Sequence, residues 1–153
     1  VGSFIRNLAG GLETIEGWAH YCEQMMMERG FQGGLKSKFM QVNDIIWRAV
    51  RMIVDVKLSC GEMSFEEAVD MLVKETRMSK NGAVAEVRRY TQSPGYPLSY
   101  LLGKHLMLKL QDDVKAKMGG EYSDKFFHDI VTANGYLPMS KLREIFEQKL
   151  GNL

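Results

Sequence analysis

Apolar residues recur along this chain of 153 residues at the three- and four-residue intervals of helices, and no stretch holds the alternation of a half-buried strand. The pattern predicts an all-α protein. Residues 13–29 read as one helix, ended by Gly30 and the Gly33-Gly34 pair, which suit a C-terminal cap or loop. Over 35–58, Phe39, Val42, Ile45, Ile46, Ala49, Val50, Ile53 and Val54 form an apolar stripe broad enough to call for cover from two sides. Ser64 with Glu67 three residues on is a capping-box pattern, opening a helix to 76 with Phe65, Ala68, Val69, Leu72 and Val73 inward. A short helix follows over 80–90, until "SPGYP" (93–97) stops it with two prolines and a glycine. The next runs over 98–118 to Gly119-Gly120. Ser123 caps its successor, Gly135 closes that one, and Ser140 and Glu144 flank the start of a last amphipathic helix through Leu142, Ile145, Phe146 and Leu150. About seven helices thus form one multi-helix domain over 13–153, behind an irregular segment at 1–12, with no internal repeat or low-complexity tract.

Composition narrows the function classes. A chain of this length buries roughly two thirds of the surface its unfolded form exposes, enough for an independent core. With 20 basic and 19 acidic side chains, the net charge of +1 gives no electrostatic reason to expect nucleic acid or an anionic membrane as partner. Apolar runs are far shorter than the roughly 20 residues of a membrane-spanning helix. Residues 1–17 also lack the basic start and continuous apolar stretch of a signal peptide. Cys22 and Cys60 form no C-x-x-C pair and are expected as buried thiols rather than a disulfide, which makes a cytoplasmic setting the default. The chain starts at Val1 without a methionine, as if entered within something longer.

Three constellations could carry chemistry. Glu16, His20 and Glu23 follow at intervals of four and three on one helix face, and carboxylate and imidazole are both zinc ligands. A polar face of this kind is ordinarily the solvated side of a helix. A self-contained metal site would need a further ligand across the bundle, with Glu23 or His128 as candidates. Arg51 and Asp55, one turn apart, are placed to form an ion pair, and arginines beside an apolar stripe usually snorkel to water. In a functional role, the planar donor fork of Arg51 would bind a substrate carboxylate. "RRYTQSPGYPLSYLLGK" (88–104) brings tyrosines, a tight turn and a helix start together, where free N–H groups can meet an anion and a phenol can donate to a developing oxyanion. The plainer reading is a connecting turn whose tyrosines bury rings and leave hydroxyls wet. His105 and His128 have no partner at metal-ligand spacing. There is no H-E-x-x-H, phosphate loop or G-x-S-x-G, so the chain by itself shows no complete active site.

Four segments, "EGWAHYCEQ" (16–24), "RAVRMIVDVKL" (48–58), "EVRRYTQSPGYPLSYLLGK" (86–104) and "FHDIVTANGYLPMSKL" (127–142), in this order, resemble the C-terminal part of the domain-of-unknown-function family 885. That family is similar to helical zinc carboxypeptidases and other gluzincin-type metallopeptidases. The resemblance spans essentially the whole chain. It implies that Glu16 matches the third zinc ligand, which in such enzymes joins two histidines of an H-E-x-x-H helix. It implies too that Tyr100 matches a tyrosine stabilising the oxyanion, and that Arg51 and Arg89 match recurring arginines, one of them pairing with a substrate carboxylate. Tyr96 and Pro97 stand where the family usually has glutamine and alanine, so Tyr96 is a substrate-side candidate without the amide contact. Ser59 stands where relatives often carry a histidine, and His20 where an apolar residue is common.

The implied function is the C-terminal helical portion of a zinc-dependent, carboxypeptidase-like peptidase acting on peptide substrates. Zinc would be held only in the complete protein, with a missing N-terminal half or another polypeptide supplying H-E-x-x-H, and the chain alone would be inactive. Two other readings stand beside it. One is a non-catalytic helical domain that self-associates or docks to a partner, to which the 11 methionines would suit an adaptable surface. The other is the self-contained metal-binding bundle.

Overall fold

The computed structural model describes residues 10–31, 33–151 and 153, and the greater part of the irregular segment expected at 1–12 lies outside that range. Among the described residues there are seven α-helices and no strand: α1 (Leu12–Glu28), α2 (Leu35–Ser59), α3 (Phe65–Thr76), α4 (Lys80–Gln92), α5 (Tyr96–Met118), α6 (Asp124–Asn134) and α7 (Met139–Leu150). A 3-10 turn, Gly119–Glu121, follows α5. The expected all-α class and helix count hold. No helix among the described residues is long and apolar enough to cross a membrane.

Local chemistry explains most boundaries. At α3 both halves of the capping box form: Ser64 Oγ accepts from Glu67 N at 3.2 Å while the Glu67 carboxylate accepts from Ser64 N at 2.8 Å. These bonds to Ser64 hold the exposed Glu67 carboxyl below its usual range. Ser79 and Ser123 cap α4 and α6 with the side-chain half alone, their hydroxyls accepting from Gly82 N and Phe126 N. Two boundaries depart from the sequence reading. The helix expected from 98 begins at Tyr96, because Pro97 falls in the first turn, where its missing N–H has no intrahelical partner to lose. The last helix is capped at Pro138 rather than flanked at Ser140 and Glu144, so Ser140 lies inside it.

Packing divides the chain into two compact units, the division falling within α1 and within α5. In the unit Cys22–Leu101, α2, α3 and α4 pack around Val50, Val54, Ala68, Val69, Leu72, Ala83, Val87 and Tyr90. In the other unit, the first turns of α1, the body of α5, α6 and α7 bury Tyr21, Met107, Leu110, Val114, Phe127, Leu142 and Phe146, with the Phe127 and Phe146 rings stacked at 5.2 Å. Two backbones meet there. A Cβ on Gly103 would lie 1.8 Å from the Glu13 carbonyl oxygen, and one on Gly17 would lie 2.3 Å from the Gly103 carbonyl carbon. Only glycine permits that approach. The start of α1 is also tied to the connection before α7, with Gly11 N donating to Tyr136 O at 2.7 Å, Thr14 Oγ1 to Leu137 O at 2.6 Å, and Met139 N to Glu13 Oε1 at 3.1 Å.

The thiol expectation is corrected. Cys22 is half-buried, and burial raises its pKa, but Cys60 is exposed, because it is the cap residue beyond the end of α2.

Candidate functional site

In the unit Cys22–Leu101 the site grows from one face of α2. Helical spacing places Trp47, Arg48, Arg51 and Asp55 on neighbouring turns of that face. Asp55 does not pair with Arg51 as expected. Its two carboxylate oxygens instead accept from Gly95 N and Leu98 N, each at 3.0 Å, satisfying N–H groups at the start of α5 that have no partner within the helix. This anchors the turn before α5 on α2, and Tyr100, about one helical turn beyond Tyr96, lies over Arg51 with the guanidinium carbon 3.6 Å from the ring centroid. Trp47 lies on the same guanidinium at 5.3 Å.

Arg51 does not snorkel either. It is 4% exposed, and its Nε and Nη2 are buried without a hydrogen-bond partner. Those two nitrogens form one edge of the guanidinium plane, with parallel N–H vectors that match the two oxygens of a carboxylate. Burial lowers the Arg51 pKa below the ordinary arginine value; Tyr100 and Tyr90 oppose that, while Arg48 and Arg89 add to it. The aromatic faces supply part of what a counter-ion would, since a cation over a ring is attracted by its quadrupole.

The neighbouring arginines each have an ion pair, although Arg48 Nε and Nη1 are also buried without a hydrogen-bond partner. Arg48 donates to Glu23 at 3.2 Å and lies 3.7 Å from Asp44. Arg89 is exposed and bonds Glu86 at 2.7 Å, which raises its pKa against the opposing effect of burial. Of the two arginines singled out for a substrate carboxylate, then, only Arg51 is buried and without an ion pair. Tyr96 is half-buried with its ring 5.7 Å from that of Tyr100, so the structure brings Arg51, Tyr100 and Tyr96 together. Trp47 and the capping role of Asp55 escaped the sequence reading.

The polar face predicted for α1 does not behave as one surface. Glu16 is half-buried beside Gly17, His20 is 2% exposed and so part of the interior, and Glu23 is exposed and engaged by Arg48. His128 is not isolated. Its Nε2 lies 2.8 Å from the Tyr21 hydroxyl, which also accepts from Gln111 Nε2 at 2.7 Å. Gln111 Nε2 also donates to Tyr122 at 2.9 Å, Tyr122 donates to Asp124 at 2.9 Å, and Lys115 donates to Gln111 Oε1 at 3.1 Å. Burial, with the Asp124 bond adding to it, pushes the Tyr122 phenol well above the ordinary tyrosine value. His105 is exposed. Among the described residues no three His, Cys, Asp or Glu side chains come together as a metal site.

The family model described as "Bacterial protein of unknown function (DUF885)" matches residues 3–145. The chain belongs to this family. The crystal structure of a "putative lipoprotein" from Colwellia psychrerythraea matches 98% of the chain at 32% identity with a TM-score of 0.89. A second such protein of unknown function, from Shewanella oneidensis, matches 95% at 24% identity with a TM-score of 0.84 and shares the fold. The present DUF885 chain spans 26% and 27% of those two chains, about a quarter of each. No protein of curated function matches it.

Proposed function

We propose that this chain is the helical portion of a zinc-dependent peptidase of carboxypeptidase type, in which Arg51 binds the C-terminal carboxylate of the peptide. The observation that carries this reading is the Arg51 guanidinium: buried, beside the Tyr100 and Trp47 rings, without an ion pair, and with one donor edge unused. A buried charge of this kind costs several kcal/mol unless something compensates it, and a substrate carboxylate is a geometrically matched compensation. Such a ligand reaches the edge only by displacing the side chains that shield it from solvent. Tyr100, in contact with the same cation, is the candidate donor to a developing oxyanion, Tyr96 lines its approach, and Arg89 is left with a supporting electrostatic role.

Catalytic zinc takes three protein ligands. In this reading Glu16, which the family resemblance matches to the third ligand, is one of them, and the two histidines come from polypeptide beyond these residues, among which no three ligating side chains gather where described. The lipoprotein description of the two solved relatives supports a location outside the cytoplasm over the cytoplasmic one inferred from the thiols.

The test uses the longer polypeptide. Glu16→Ala is expected to remove most of its zinc, and Arg51→Gln to raise KM for peptides with a free C-terminus while sparing C-terminally amidated ones. Unchanged zinc content in the first variant would sink the metal assignment; equal effects on both substrate types in the second would sink the carboxylate site.

A further inference from the structure

The stripe on α2 that called for cover from two sides is covered on one. Val50 and Val54 enter the core with α3 and α4, whereas Leu35, Phe39, Val42, Ile46, Ile53 and Val56 are exposed, Leu35 and Phe39 at 86% and 69%. These six do not lie at random. With Ala49 between Ile46 and Ile53, they follow at alternating intervals of four and three over three heptads. That is the a/d seam of a left-handed coiled coil, whose 3.5-residue period keeps side chains facing a partner helix. At roughly 1.5 Å per residue it runs for about 32 Å.

We infer that this seam receives an amphipathic helix with acidic flanks, supplied by the part of the polypeptide that lies outside these 153 residues. Two observations select this occupant. The solved chains that share the fold are about four times as long as the segment matched here, so polypeptide to supply a helix is at hand. The positions flanking the seam carry Lys36, Lys38 and Lys57 and no carboxylate. Acidic residues on the incoming helix would pair with them, whereas a second copy would bring only further lysines. The inference does not rest on the peptidase reading: a polypeptide that held no zinc would still need to cover this face.

The test is thermal unfolding of the longer polypeptide carrying Ile46→Asp, with Met40→Asp, on the same helix but off the seam, as control for helix propensity. Ile46→Asp is expected to lower Tm well beyond the control, and the triple reversal Lys36→Glu, Lys38→Glu, Lys57→Glu to lower it by less, with the difference shrinking at high salt. Equal Tm values for Ile46→Asp and Met40→Asp would overturn the inference. So would a dimer of the 153-residue chain in sedimentation velocity that Ile46→Asp converts to monomer, since the seam would then belong to a second copy. A monomer there, together with the Tm loss in the longer polypeptide, supports the internal helix.

Discussion

Two buried polar clusters, one in each unit, solve the same problem in opposite ways. Around Gln111 every group answers another: the carboxamide donates to two phenols and accepts from Lys115, one phenol meets His128, and the other meets Asp124. Around Arg51 the carboxylate one helical turn on, Asp55, is spent on backbone N–H groups, and the cation is left with aromatic faces and an unused donor edge. A satisfied network rigidifies and specifies a core, while an unsatisfied charge is a cost that something outside the cluster can relieve. The first therefore reads as architecture. The second reads as a site.

That contrast can be broken by substitution. Asp55→Ala should have the largest effect, a loss of about 3 kcal/mol in urea unfolding, because it removes two charge-assisted bonds at the start of α5. It should also disorder Tyr100, visible as loss of near-UV ellipticity. Gln111→Leu should cost about 2 kcal/mol by leaving Lys115 and parts of two phenols unanswered. Arg51→Met is expected to act in the other direction, raising stability by about 1 kcal/mol, since removing a desolvated, unpaired charge outweighs the lost stacking on Tyr100. A destabilising Arg51→Met comparable to Gln111→Leu would put both clusters in the structural class and remove the reason to treat Arg51 as a binding group.

Much of the helical layout could be read from the sequence because its signals are local. Ser64 and Glu67, or Ser123 and Gly135, act within one turn of the helix they bound, so their meaning does not depend on the rest of the fold. The site residues were legible only one at a time. Helical spacing puts Arg51 and Asp55 one turn apart and so suggests an ion pair, but the Asp55 carboxylate is taken by the N–H groups of Gly95 and Leu98, some 40 residues on. His20 was assigned to a wet face because its helix neighbours Glu16 and Glu23 are polar, yet burial depends on what packs from elsewhere in the chain. The Tyr21–His128 contact joins residues 107 apart, and nothing in either local pattern announces it. Arg51 itself was singled out from its segment, and the structure adds the fact that matters, its lack of an ion pair.

The contact of Gly17 with Gly103 fixes more than the spacing of α1 and α5. Where two main chains touch with no side chain between them, neither helix can roll about its own axis, since any turn would drive a backbone atom or a neighbouring Cβ into the other. The main chain at Glu16, one residue before the contact, is thereby held in place along α1. A single methyl group at position 103 would force the two main chains apart and shift the Glu16 backbone with them.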